Sequence, residues 1–282
     1  MESKTTTAQT LGEVLALPVD WATTCVCLDL DDVCVTVADS VGTEAWESRL
    51  ARELGSGSSS SSMSDGQARG VAGQMWRALN WVVPTRTPEA ETAGVVRRLQ
   101  QRAAHVVGLT ARDAVLTSLT RRQLMSHGIE LSAGGEPEAV LQLGAGVVYS
   151  GGVVFCSDKS KREALRRYLC ATEAVRAATR QPPLSTLERC VHVDDKSSHL
   201  LDLAAGFRGE PDDSGGQLPP LLFHGVHYTR VADDQEHMPV DAQLDPMSRA
   251  LARALASEDA REHLKKVIRA AEGDTTLWYS KY

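Results

Sequence analysis

Three short apolar runs rich in Val and Cys, each ending on a carboxylate or a hydroxyl, constrain this chain more than any other feature. Thr24-Cys-Val-Cys-Leu28 runs into Asp29-Leu30-Asp31-Asp32, His105-Val-Val-Gly-Leu109 into Thr110, and Cys190-Val-His-Val193 into Asp194-Asp195. Apolar runs of this length without strict alternation suit strands buried on both faces, which implies a parallel sheet covered by helices. Open α/β sheets bind ligands at the carboxyl ends of their strands. That is where these polar residues fall.

Between the runs the spacing is helical. Stretches 43–54, 67–81 and 89–102 read as helices, the last with Ala93, Val96 and Leu99 on one face and a break at Pro84 and Pro88 before it. A polar, Ser-rich segment at 55–66 cannot bury surface and is expected to be a disordered loop. Runs 146–149 and 153–156 flank Ser150-Gly151-Gly152 and predict a hairpin. A helix is expected from Lys161 to about 179, a further strand at 221–224, and a final amphipathic helix from Asp245 with Leu251, Leu255, Leu264 and Ile268 as its stripe. The fold expected is therefore α/β: a Rossmann-like, mainly parallel sheet flanked by helices, formed by 19–38 and 104–282, with a small helical cap insertion at 39–103. Trp46, Trp76 and Trp81 would make the small core of that insertion.

A hydrophobic content of 42% is ample for a core. The net charge of −7 is spread along the chain, with no concentrated basic surface to argue for nucleic acid. No apolar run approaches the roughly 20 residues that span a bilayer, and the N-terminus has no basic start followed by an apolar stretch. No membrane partner and a cytoplasmic location are the expectation. Ser280-Lys281-Tyr282 departs from the peroxisomal address at its last residue. The six cysteines show neither a CxxC pair nor metal-ligand spacing and read as reduced core residues.

Asp29 and Asp31 are two residues apart, so on a straight strand they would share a face. Where the chain turns, one carboxylate can meet a metal and a phosphorus while the other reaches a leaving group. Like charges so close repel, and Mg²⁺ between them and Asp194 would relieve the repulsion. An overall acidic chain does not draw phosphorylated ligands from a distance, so any phosphate must be held locally. Each residue also has an ordinary reading. An acidic run after a strand is usually a solvated turn, Thr110 alone is a helix N-cap, and Lys161 alone is a solvated helix residue beside Lys159 and Arg162. Two acidic pairs at two strand ends are much harder to reach by chance.

Taken in order, Asp29-x-Asp31-x-Val33, Thr110, Lys161 and Asp194-Asp195 resemble the four motifs of the haloacid dehalogenase (HAD) superfamily of phosphohydrolases. Finer features, Gly108-Leu-Thr-Ala-Arg112, Gly151-Gly-Val-Val-Phe155 and Phe223-His-Gly-Val-His-Tyr228, resemble a branch described as DUF2608. The resemblance implies a Mg²⁺-dependent phosphatase that cleaves a phosphomonoester on a small phosphorylated substrate. Asp29 would be the nucleophile and Asp31 the general acid/base. Thr110 and Lys161 would bind phosphate, with Lys159 the alternative lysine. Asp29, the backbone carbonyl of Asp31 and Asp194 would hold the metal, supported by Asp195. Val33 stands where Thr is commoner, which removes a hydroxyl that would brace the loop.

Other residues read less sharply. His192 is a strand histidine of the kind usually packed, His224 and His227 flank Gly225 near another strand end, and Arg112 suits either a substrate anion or a helix surface. Two other readings compete: a catalytically silent relative that binds or scaffolds, and a response-regulator receiver, which lacks both the insertion and the Asp-Asp pair.

Overall fold

The computed structural model describes residues 3–231 apart from 39–41, 56–62, 82, 133–139, 158, 172 and 179–180. Of the loop expected at 55–66, residues 56–62 lie outside the described residues, as does the final helix expected from Asp245. The ends of that loop are helical instead, Gly55 closing one helix and Asp65 and Gly66 opening the next behind the Ser64 N-cap. The elements in chain order are β1 (Lys4–Ala8), β2 (Thr24–Leu28), β3 (Thr36–Val37), α1 (Glu44–Gly55), α2 (Asp65–Asn80), β4 (Thr85–Arg86), α3 (Thr92–Arg102) and β5 (His105–Thr110). They continue with α4 (Thr117–Ser126), β6 (Leu141–Gly144), β7 (Val147–Ser150), β8 (Val153–Phe155), α5 (Lys161–Leu169), α6 (Glu173–Ala178), β9 (Arg189–Asp194), α7 (Ser197–Phe207) and β10 (Leu222–Tyr228).

Eight strands make one sheet in the order β1-β10-β9-β2-β5-β8-β7-β6. The first six run parallel, and β7 and β6 complete the edge as an antiparallel ribbon. This is the expected mainly parallel, Rossmann-like sheet. All five residues of β2 are buried, as the unbroken apolar run required. One face packs Cys25, Cys27, Val107, Leu109, Val154 and Phe223 against Leu165 and Tyr168 of α5 and Leu203 and Phe207 of α7. The alternate residues Val26, Leu28 and Val106 point to the other face and are buried too. The β7–β8 hairpin turns through Gly151 and Gly152, with φ of 61° and 77°. Positive φ at both central residues is what a two-residue hairpin loop with the right twist needs.

Differences from the sequence reading have local causes. Strand β1 is three threonines between Lys4 and Ala8, with little apolar signal, and it survives as a sheet edge paired to β10. Helix α7 follows the Asp194-Asp195 turn at once, and no helix was anticipated between β9 and β10. The helix expected to continue from Lys161 to about 179 divides into α5 and α6. Cys170 is exposed, unlike the other five cysteines.

By its contacts the chain forms two compact units. One holds the sheet and, among the described residues, takes in those up to Thr36 and those from Thr87 to Val231. Helix α3, counted with the insertion in the sequence reading, belongs to this unit and packs on β5 and the 3-10 segment Leu11–Ala16. The other, among the described residues, is Val37–Arg86, where α1 and α2 pack through Trp46, Leu50, Val71, Ala72 and Met75.

Candidate active site

The carboxyl ends of β9, β2 and β5 lie side by side because the three strands are parallel neighbours in matched register. Leu28 pairs with Val193 on one side and Gly108 on the other. One residue on, Asp29 and Asp194 are level; counting on from Gly108 brings Thr110 level with Leu30. Gly108 permits this closeness, since a Cβ there would fall 3.0 Å from Leu131, 3.1 Å from Leu30 and 3.1 Å from Val153.

Lys161 reaches the same edge from the first turn of α5, the helix that follows β8 in the chain and packs on the sheet face. Ser160 caps α5 by accepting the N–H of Glu163, which sets Lys161 in the first turn. Its Nζ lies 2.8 Å from Asp29 Oδ1 and 2.7 Å from Asp194 Oδ2. Lys161 is only 4% exposed, so the ammonium is shared by two carboxylates out of reach of bulk water. Burial alone would lower its pKa, but Asp29 and Asp194 outweigh burial and hold it above the usual lysine range. It is Lys161, rather than Lys159, that meets the nucleophile candidate.

The two strand-end carboxylates differ in what they have left to offer. Asp194 is fully buried, and both its oxygens are engaged. Oδ1 accepts the N–H of Lys196 at 2.9 Å and faces His199 Nδ1 at 3.1 Å. Oδ2 meets Lys161 Nζ and, at 2.8 Å, His192 Nε2. His192 Nδ1–H in turn donates to the carbonyl of Cys27. Despite burial, the His192 and His199 hydrogen bonds and the Lys161 charge hold the Asp194 carboxyl far below its usual range. Asp29 uses Oδ1 for the Leu30 N–H and Lys161. Its Oδ2 has no recorded partner among the described residues. Burial, with Asp194 and Asp31 nearby, pushes the Asp29 pKa up against the pull of Lys161.

Asp31 and Arg112 form the second cluster. Thr110 Oγ1 accepts the N–H of Arg112 at 3.1 Å, turning the chain after β5. Arg112 Nη2 donates to Asp31 Oδ1 at 2.7 Å and Nε to Oδ2 at 3.0 Å. Its Nη1 donates to Thr120 and Gln123 of α4. Arg112, only 4% exposed, is therefore no helix-surface residue. Burial would raise the Asp31 pKa, and Arg112 more than reverses this.

A cation fits the donor set here. Asp29, Asp194 and His199 each present a ligand atom within 4.8 Å of the others. His199, on α7, is a candidate the sequence reading missed; it lies five residues past Asp194, and the helix that brings it back was not anticipated. Among the described residues Asp195 makes no side-chain hydrogen bond, and burial with Asp29, Asp194 and Asp32 pushes its pKa up to about 8. Asp32, at φ 62°, is raised to about 6 by burial first and by Asp31 and Asp29 next. Carboxylates crowded so that they hold their protons mark a place where a hard cation would relieve charge. His227 Nε2–H donates to the Asp195 carbonyl and so braces this turn. His224 faces Thr6 at the β1 edge instead.

Among known proteins, the model of a family described as a protein of unknown function, DUF2608, matches residues 5–261. No curated protein and no solved structure matches the chain. Among the described residues, no helix is long and apolar enough to cross a membrane.

Proposed function

The chain belongs to the DUF2608 family, and from that premise and the geometry of the strand ends we propose that it is a Mg²⁺-dependent phosphohydrolase of the HAD type. It would cleave a phosphomonoester of a small molecule through a phosphoryl-aspartate on Asp29. One observation carries the reading: a buried lysine ammonium bridges carboxylates from the ends of two adjacent parallel strands. A nucleophilic carboxylate needs such a charge beside it, both to lower repulsion of an incoming phosphate and to leave one oxygen free. Asp29 has that free oxygen.

In the proposed reaction Asp29 Oδ2 attacks phosphorus while the bond to the leaving oxygen breaks. Asp31, which Arg112 holds ionised in the free protein, takes up a proton as the negatively charged phosphate binds and supplies it to that oxygen. Water then attacks the phosphoryl-aspartate, gives its proton to Asp31, and inorganic phosphate leaves with Asp29 restored. Thr110 and Lys161 would hold the transferring phosphoryl group. Mg²⁺ would be held by Asp29, the Asp31 backbone carbonyl and the Asp194-Asp195 pair, and would neutralise phosphate charge. Within that pair, Asp195 has the carboxylate oxygens without a hydrogen bond among the described residues, whereas those of Asp194 are engaged. The helical pair α1 and α2, inserted between β2 and β5 in the chain, would be the cap.

The test is hydrolysis of an aryl phosphate. Turnover in Mg²⁺ that disappears in EDTA supports the proposal. Turnover undiminished in EDTA contradicts the metal assignment, and Asp29→Asn with full activity contradicts the nucleophile.

A further inference from the structure

Arg112 moves no proton in the reaction as written, yet it is among the most completely engaged side chains near the strand ends. A two-pronged guanidinium–carboxylate contact fixes the orientation of both groups, unlike a single-point ammonium contact. Here the fork grips Asp31 through Nε and Nη2. The third nitrogen is pinned from behind, 2.9 Å from Thr120 Oγ1 and 2.7 Å from Gln123 Oε1. Thr120 and Gln123 are three apart on one face of α4 and both buried, so Arg112 is locked before it meets Asp31. The Asp31 side chain is 40% exposed, whereas that of Arg112 is 2% exposed. The arrangement is asymmetric: an almost wholly buried guanidinium grips a carboxylate that is only partly exposed.

From this we infer that Arg112 is a positioning residue, which sets the Asp31 carboxylate at the angle proton transfer requires and ties that angle to helix α4. The inference rests on the phosphatase reading. A surface ion pair would not need two buried anchors on its far side, and a purely structural arginine would gain little from aiming its fork at a partly exposed carboxylate. Proton transfer is sensitive to such aim, because donor and acceptor must come within hydrogen-bond reach in the correct direction.

The test compares wild type with Arg112→Lys on two substrates in Mg²⁺. The leaving group of p-nitrophenyl phosphate departs without a proton, whereas a primary alkyl phosphate needs one. Lysine keeps a positive charge beside Asp31 and removes only the fork. The expected result is a fall in kcat of about tenfold to a hundredfold on the alkyl phosphate, little change on the aryl phosphate, and an unchanged KM for both. Gln123→Leu cuts an anchor but leaves the Arg112–Asp31 contact, and should shift the alkyl-to-aryl ratio in the same direction by a smaller factor. If Arg112→Lys does not fold, Gln123→Leu decides alone. Equal losses on both substrates, or none on either, overturn the inference and leave the phosphatase reading standing. A wild-type protein that turns over neither substrate overturns both.

Discussion

Lys161 Nζ and Asp194 Oδ2 are 2.7 Å apart with both side chains almost wholly buried, and Asp29 takes the other side of the same ammonium. Lys161→Met would leave two carboxylates buried without their counter-charge. Removing one partner from a buried pair costs about 3–5 kcal/mol, so urea unfolding of Lys161→Met should show a loss of that order. Lys161→Met combined with Asp194→Asn should recover part of it. Equal stabilities for wild type and Lys161→Met would mean that the ammonium is not seated between the two acids.

The raised pKa of Asp195 fixes the sign of a pH effect. A carboxyl that ionises near 8 when folded, against about 4 when unfolded, binds its proton more tightly in the folded state. The stability it contributes is fully present below the unfolded value and is lost as pH rises toward about 8. In EDTA the folded protein should therefore lose stability from this group between about pH 4 and 8. Mg²⁺ should raise the thermal midpoint more at pH 8.5 than at pH 5, because the cation favours the ionised form. A Mg²⁺ shift of equal size at both pH values would contradict a cation bound next to Asp195.

Asp212, paired with Arg166 of α5, gives the opposite sign. Arg166, Ser214 and the Gly216 N–H outweigh burial and hold its pKa at about 2. Its contribution is present above the unfolded value and disappears as pH falls toward 2. Asp212→Asn should weaken the protein at pH 6 and narrow its difference from wild type at pH 2.5, read by urea midpoints. Parallel curves would show that the loop is not held by this charge.

Gly152 supplies a control for the fold. An added Cβ would fall 2.3 Å from the Leu131 carbonyl carbon, with φ at 77°. Gly152→Ala should cost more than about 2 kcal/mol through backbone strain and displacement. A neutral result would contradict the hairpin geometry at β7–β8.

The legible parts of this chain were those where chemistry and periodicity coincide. The runs at 24–28, 105–109 and 190–193 announced central strands because burial on both faces leaves a continuous apolar signature. Gly151-Gly152 announced its turn through the same requirement for positive φ that the structure shows. Strand β1 was illegible because an edge strand needs few apolar residues, and Lys4-Thr-Thr-Thr-Ala8 has almost none. Helix α7 hid behind the acidic turn it follows, and His199 with it. The Arg112–Asp31 contact was out of reach for a different reason. It joins residues 81 apart, and no local pattern states that Thr110 will turn the chain so that Arg112 points inward.

The most direct test of the account is to trap the phosphoryl-aspartate. Asp31→Asn keeps the nucleophile but lacks the base for the second step, so the intermediate should accumulate when this variant is incubated with Mg²⁺ and p-nitrophenyl phosphate and quenched in acid. Mass spectrometry should then find one added phosphoryl group, labile to hydroxylamine, on the peptide carrying Asp29, and none when Asp29→Asn is present as well. A phosphoryl group on another residue, or none at all under conditions where the wild type also fails to hydrolyse the substrate, would contradict covalent catalysis by Asp29.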